Sequence, residues 1–195
     1  MNVAVVLAGG VGSRMGGDKP KQFMSLEGRC VIEHSIDVFE QSPGIDEVAV
    51  VVHPQWLDFM RGVVTRNHWS KVQRLVEGGS ERYMSSLNAI EAYIDYPDET
   101  NLIFHDAARP WVSSDVVDRV IVALESHSAV GVAVPSTDTV WEVHPDFGHT
   151  LSRFVSRIPD RRMMWRAQTP QAFRLATIRD AYQMAIITIN SKMKK

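Results

Sequence analysis

Short apolar runs alternate with longer stretches of mixed polarity as far as Pro135. Residues 3–7 (Val-Ala-Val-Val-Leu) are apolar and mostly β-branched, the pattern of a strand buried on both faces in a parallel sheet. Residues 31–39 put Val31, Ile32, Ile36 and Phe39 at helical spacing, and Pro43-Gly44 marks a turn. Residues 47–52 predict a second buried strand, 55–65 a helix with Trp56, Phe59, Met60 and Val63 on one side, and 71–76 a short strand. Residues 81–93 predict a helix with Leu87, Ala89 and Ile90 inward, and residues 101–105 a strand. A helix capped by Ser113 or Ser114 runs to about Glu125, and residues 129–134 predict another strand. Strand–loop–helix repetition predicts an α/β fold: one doubly wound, Rossmann-like sheet flanked by helices.

The rhythm breaks after Pro135. Residues 138–143 and 151–158 read as the two strands of a hairpin around the turn Pro145-Asp146-Phe147-Gly148. This arm, about residues 137–163, carries Trp141, Phe147, Phe154 and Val155 with no helix beside it. It either folds back on its own domain or needs another surface to cover it. Residues 172–187 predict a last amphipathic helix, with Ile178, Ala181, Tyr182 and Ala185 on one face, before a polar end.

Composition acts mainly by exclusion. A chain of 195 residues, 45% hydrophobic and 23% charged, suits a single domain with a sizeable core. A net charge of -2 offers no basic field for nucleic acid or for an acidic membrane surface. Cys30 is alone, so no intrachain disulfide forms and a reducing compartment is expected. No apolar run reaches membrane-span length, and the chain enters its first strand without a signal peptide, so a cytoplasmic protein is expected.

The chemistry concentrates after the first strand, in Leu7-Ala-Gly-Gly-Val-Gly-Ser-Arg-Met-Gly-Gly-Asp-Lys-Pro-Lys-Gln-Phe23. Gly9, Gly10 and Gly12 allow a tight turn and close approach of a ligand to backbone N–H groups, which together form an anion-binding concavity. Arg14, Lys19 and Lys21 add positive charge, so the stretch suggests a triphosphate site. It is neither a dinucleotide fingerprint, being one residue too long, nor a P-loop, because Gly17 is followed by Asp18-Lys19-Pro20.

Three more loops follow strands or their equivalents: residues 78–85, 105–110 and 165–171. In open α/β sheets ligands bind outside the carboxyl ends of the strands, where these loops would converge. Asp106, just past a buried strand, is placed either to hold Mg²⁺ or to pair with Arg109. Gly79 and Ser80 offer backbone groups to a base; Arg82 and Ser85 stand at a helix start, where ordinary capping is the alternative. The seven histidines show no metal-ligand spacing.

The strings L-A-G-G-x-G-x-R-M-G…P-K-Q-F, G-G-x-x-R-x-x-S, H-D-A-A-R-P, D-T and Q-T-P-Q-A-F, in this order, resemble the cytidylyltransferases acting on 2-C-methyl-D-erythritol 4-phosphate or D-ribitol 5-phosphate. The resemblance implies a CDP-polyol and pyrophosphate made from CTP, use of Mg²⁺, and a homodimer formed through an extended β-arm. It implies that Ala8, Gly9, Gly79, Ser80 and Ser85 hold the cytidine, with Gly10, Gly12, Arg82 and Ala107 in the same nucleotide-binding motifs. Arg14 and Lys21 match the catalytic cations on the triphosphate, and Asp106 the metal ligand. Thr139, Arg161 and Thr169 match the substrate-phosphate site, to which Arg109 is added. The implied chemistry is in-line attack of the polyol phosphate oxygen on the α-phosphorus.

Leu-Ala-Gly-Gly, His53 with Trp56, and Ile158-Pro-Asp-Arg161 resemble ribitol-phosphate members; Asp106-Ala-Ala-Arg109 resembles methylerythritol members. The balance tips slightly to ribitol 5-phosphate. Family members continue into a segment with Asp, Asn-Ile-Lys and a final helix, which this chain lacks, so the C-terminal end of the family domain is expected to be missing. Two rivals stand beside this reading: a nucleotidyltransferase for another NTP and a sugar 1-phosphate, and a nucleotide-binding remnant without activity.

Overall fold

The computed structural model describes residues 1–10, 19–144 and 154–192. The chain begins with β1 (Asn2–Ala8) and the small hairpin β2 (Ser25–Leu26) and β3 (Arg29–Cys30). There follow α1 (Val31–Gln41), β4 (Glu47–Val52), α2 (Leu57–Asn67), β5 (Val72–Glu77), α3 (Arg82–Glu91), β6 (Asn101–Asp106), α4 (Ser114–Leu124) and β7 (Ala129–Pro135). The arm strands β8 (Glu142–Val143) and β9 (Val155–Arg157), then β10 (Trp165–Arg174) and α5 (Leu175–Lys192), complete it.

Six strands make one mixed sheet in the order β5-β4-β1-β6-β10-β7. β1 is central and pairs in parallel with β4 (Val5↔Ala49) and β6 (Val5↔Phe104). Its apolar run is explained by burial on both faces. One face packs on α1, α2 and α4 through Ile36, Phe39, Met60, Val63 and Val120; the other packs on α3 and α5 through Ala89, Ile90, Tyr93, Leu175 and Ile178. No helix among the described residues is long and apolar enough to cross a membrane.

Most predicted elements appear within a few residues of their expected bounds, and the Ser113 cap forms, its Oγ accepting from Val116 N at 3.4 Å. The largest difference lies at the end of the chain. Residues 165–171, expected as a loop, and the first residues of the expected helix 172–187 instead form β10, which runs antiparallel between β6 and β7. Pro170, which cannot donate to a ladder, sits where the pairing with β7 is interrupted between Ala167 and Gln171. In the arm, β8 and β9 are shorter than expected, and the turn with Phe147 lies outside the described residues.

Candidate active site

Three parallel strands, β1, β5 and β6, end at the same edge of the sheet, and β10, running the other way, begins there. Each carries one of the loops singled out above.

At the end of β1, Ala8 is buried and the chain turns through Gly9 and Gly10. Residues 11–18, with Gly12 and Arg14, lie outside the described residues. The chain returns through a short 3-10 turn, Lys21–Phe23. Phe23 stacks on Trp56 with centroids 4.8 Å apart and meets Phe59 edge-on at 5.2 Å. Lys21 is exposed, but buried Pro20 and Gln22 on either side fix its backbone. The side-chain nitrogen of Gln22 donates to Ala8 O and Gly10 O, both at 2.8 Å.

The loop after β5 packs against the first. A Cβ on Gly78 would stand 3.1 Å from Gly9 Cα, and one on Gly9 would stand 2.8 Å from Ser85 Oγ. The glycines are needed here for close approach of two backbones. Ser85 is buried and accepts from Gly79 N at 3.1 Å. The exposed Ser80 sits beside Met84, 3.2 Å from its sulfur.

At the end of β6, the Asp106 carboxylate is taken on both oxygens. Arg82 Nη1, from the first turn of α3, reaches Oδ1 at 2.5 Å, and Arg109 Nε reaches Oδ2 at 3.1 Å. The loop is anchored from below: Ala107 N donates to Leu7 O at 3.0 Å, and Ser35 Oγ of α1 donates to Ala107 O at 3.1 Å. Arg109 also donates to Gln168 Oε1 of β10 at 2.7 Å.

Thr169 joins the same group. Its Oγ1 lies 3.4 Å from Asp106 N and 3.1 Å from His105 Nδ1, while His105 Nε2 faces Arg109 O at 3.0 Å. A carbonyl only accepts, so Nε2 carries the proton and Nδ1 accepts from the Thr169 hydroxyl. Burial pushes the His105 pKa down, more than the Arg109 carbonyl pulls it up, and keeps the ring neutral.

The structure thus brings together Ala8, Gly9, Gly10, Lys21, Gly79, Ser80, Arg82, Ser85, Asp106, Ala107, Arg109 and Thr169 along one edge. Thr139 and Arg161 are exposed at the two bases of the arm. The neck is closed by Ser136 N donating to Met164 O at 2.8 Å, and Arg161 Nη1 reaches Thr137 O at 3.5 Å. Sequence reasoning missed Gln22, His105 and Gln168. All three stand in strings quoted above, Gln22 in P-K-Q-F, His105 in H-D-A-A-R-P and Gln168 in Q-T-P-Q-A-F, but residue type and order gave them no role.

Among the described residues no group of three or more His, Cys, Asp or Glu side chains could hold a metal by itself. Asp106 could serve Mg²⁺ only with other donors, since that ion takes few protein ligands and completes its shell with phosphate oxygens and water, and the two carboxylate oxygens here meet Arg82 and Arg109. Cys30 has its thiol pushed up by burial, so it is no ready nucleophile.

Comparison with known proteins agrees with this layout. The family model described as IspD, 2-C-methyl-D-erythritol 4-phosphate cytidylyltransferase, matches residues 2–192. The chain is 44% identical over 182 residues to the 2-C-methyl-D-erythritol 4-phosphate cytidylyltransferase of Thermobifida fusca, covering 93% of this chain and 72% of that protein. It is 39% identical over 183 residues to the bifunctional ribulose 5-phosphate reductase/CDP-ribitol pyrophosphorylase Bcs1 of Haemophilus influenzae, covering 94% of this chain and only 38% of that longer protein. Among solved structures, the 4-diphosphocytidyl-2C-methyl-D-erythritol synthase of Anaerococcus prevotii superposes with a TM-score of 0.80 at 25% identity, covering 96% of this chain and 77% of the other. The Francisella tularensis 2-C-methyl-D-erythritol 4-phosphate cytidylyltransferase gives a TM-score of 0.75 at 26% identity over 100% of this chain and 81% of the other. With nearly its whole length matched in sequence and in fold, the chain belongs to the IspD family of cytidylyltransferases, which are nucleotidyltransferases.

Proposed function

We propose that this chain transfers CMP from CTP to a polyol phosphate, giving a CDP-polyol and releasing pyrophosphate. The observation that carries the reading is the meeting of two glycine loops, Lys21, Asp106 and Thr169 along one sheet edge. The abutting loops at Gly9 and Gly78-Gly79, with Ser80 and Ser85, hold the cytosine and ribose. Lys21 meets the triphosphate, and the family motif gives Arg14 the same part. Thr169 and Arg109, with Thr139 and Arg161 from an arm, take the polyol phosphate.

The nucleophile is a phosphate oxygen that is already anionic, so the site needs no strong general base. Positioning and charge neutralisation supply the rate. Lys21 stabilises charge on the α-phosphoryl group and on the leaving pyrophosphate, and Arg82 and Arg109 exchange Asp106 for phosphate oxygens as substrates enter. Mg²⁺ held by Asp106 would neutralise and orient the phosphates.

We infer further that the arm pairs two chains. Trp141 is 63% exposed, Phe154 76% and Met163 74%, an apolar surface that a second copy would cover. The polyol is D-ribitol 5-phosphate or 2-C-methyl-D-erythritol 4-phosphate, as relatives of both kinds are similar over the same residues. The test is pyrophosphate release from CTP and Mg²⁺ with each polyol phosphate in turn. Turnover with one of them, and none with ATP, GTP or UTP, is expected; CTP binding without pyrophosphate release from either would sink the reading.

A further inference from the structure

Gln22 does something that its place in a phosphate loop does not require. Its side chain is buried, 6% exposed, and one nitrogen faces two backbone carbonyls, Ala8 O and Gly10 O, each at 2.8 Å. A neutral amide N–H₂ satisfies both without burying a charge: a carboxylate would present oxygen to oxygen, and a hydroxyl has a single hydrogen. The two carbonyls flank Gly9, the residue whose backbone meets Gly78 and Ser85 of the neighbouring loop. Holding them inward leaves the outer side of the turn to backbone N–H groups.

The other end of Gln22 is equally constrained. It is the middle residue of the 3-10 turn Lys21–Phe23, in which Phe23 N donates to Pro20 O at 2.9 Å and Met24 N to Lys21 O at 3.1 Å. Phe23 is locked against Trp56 and Phe59. One side chain therefore joins the exit of β1 to the segment that carries Lys21.

We propose that Gln22 is a positioning residue for nucleotidyl transfer: its amide fastens the Ala8–Gly10 backbone to the Lys21 turn, so that backbone and ammonium meet the same triphosphate as one rigid unit. The proposal rests on the reading of Lys21 given above. Displacing a charged group by about 1 Å costs up to roughly 100-fold in rate.

Gln22→Met keeps the volume and removes both donors; Gln22→Glu replaces them with acceptors. Each should lower kcat with CTP between about 10- and 100-fold while the polyol-phosphate KM stays within about twofold. In a Lys21→Ala background the further loss should be clearly smaller, because part of what Gln22 positions is Lys21. A second readout needs no substrate. Trypsin cleavage after Lys21 should be faster in Gln22→Met than in the unmutated chain, and Gln22→Asn, which keeps an amide on a shorter stem, should fall between. Unchanged kcat in folded variants, a fully additive loss in the Lys21→Ala background, or an unchanged cleavage rate overturns the proposal. If the unmutated protein is inert toward CTP and both polyol phosphates, the activity reading fails, and the cleavage experiment still decides the role of Gln22.

Discussion

The interior of the sheet and its β7 margin are built on opposite terms. β4 has every residue buried, and β1 beside it is nearly as enclosed, with helices on both faces. At the margin, β7 has no buried residue, and beyond it every residue from Thr137 to His144 is exposed. The first half satisfies its apolar surface by itself; the second leaves Trp141, Phe154, Met163 and Trp165 facing outward. The proposed site straddles the boundary. Its nucleotide side grows from the enclosed half, and its polyol side from β10 and the bases of the arm. Rigidity where a base is recognised and an open surface where two chains could meet are the division of labour this contrast suggests.

Damage to the enclosed half should cost stability and spare chemistry. Ile45 is buried at the edge opposite the site, and Ile45→Ala should lower unfolding free energy by about 2–5 kcal/mol in urea titration. The kcat of the folded fraction should not change; a parallel fall in kcat would break the comparison. Lys21→Ala should do the reverse. Loss of one preorganised transition-state contact costs roughly 2.7–4 kcal/mol, or 10²–10³ in kcat, and the exposed side chain leaves the thermal midpoint where it was. Wild-type turnover in a folded Lys21→Ala protein would remove Lys21 from the mechanism.

The enclosed half also sets the acid limit. Burial would raise the Glu33 carboxyl, but hydrogen bonds from Asn67, Cys30 N–H and Arg66 outweigh it and hold its pKa at about 2, below its ordinary 4.5. A depressed folded pKa means stability that is fully present above about pH 4.5 and is lost as pH falls toward about 2. The contribution is about 3 kcal/mol at neutral pH. Urea midpoints should therefore separate the unmutated chain from Glu33→Gln at pH 6 and draw together as pH falls from about 4.5 toward about 2; a constant gap would assign the acid sensitivity elsewhere. The smallest effect belongs to the arm. Phe154→Asp should yield monomers in sedimentation and raise the polyol-phosphate KM about tenfold, roughly 1.4 kcal/mol, with little change in stability. An unmutated protein that sediments as a fully active monomer would end the dimer reading.

How far the fold was legible follows the same division. Strands such as residues 3–7 and 47–52 announce themselves because burial on both faces demands an unbroken apolar run. β10 does not: Trp165-Arg-Ala-Gln-Thr-Pro-Gln171 alternates poorly, and a proline argues against an interior strand. Its place is decided by tertiary pairing with β6 and β7. Even so, the fourth loop was looked for at the right edge, because an antiparallel strand starts where its parallel neighbours end. Motif reading reached Asp106, Arg82, Ser85 and Thr169 through residue type and order. It missed Gln22 and His105, whose parts depend on which carbonyls and hydroxyls they face, information that no linear spacing contains.

The insertion of β10 between β6 and β7 also orders assembly in time. β1, β4, β5 and β6 can pair as soon as Asp106 has left the ribosome, since each finds its neighbour among residues already made. β7 cannot: its one neighbour in the sheet is β10, which follows it only after the whole arm. Until Trp165–Arg174 emerges, a strand with open hydrogen-bonding edges waits beside the apolar arm, the kind of species that aggregates. A nascent chain arrested before Trp165 should therefore be handed to chaperones, whereas one released after α5 has closed its own sheet.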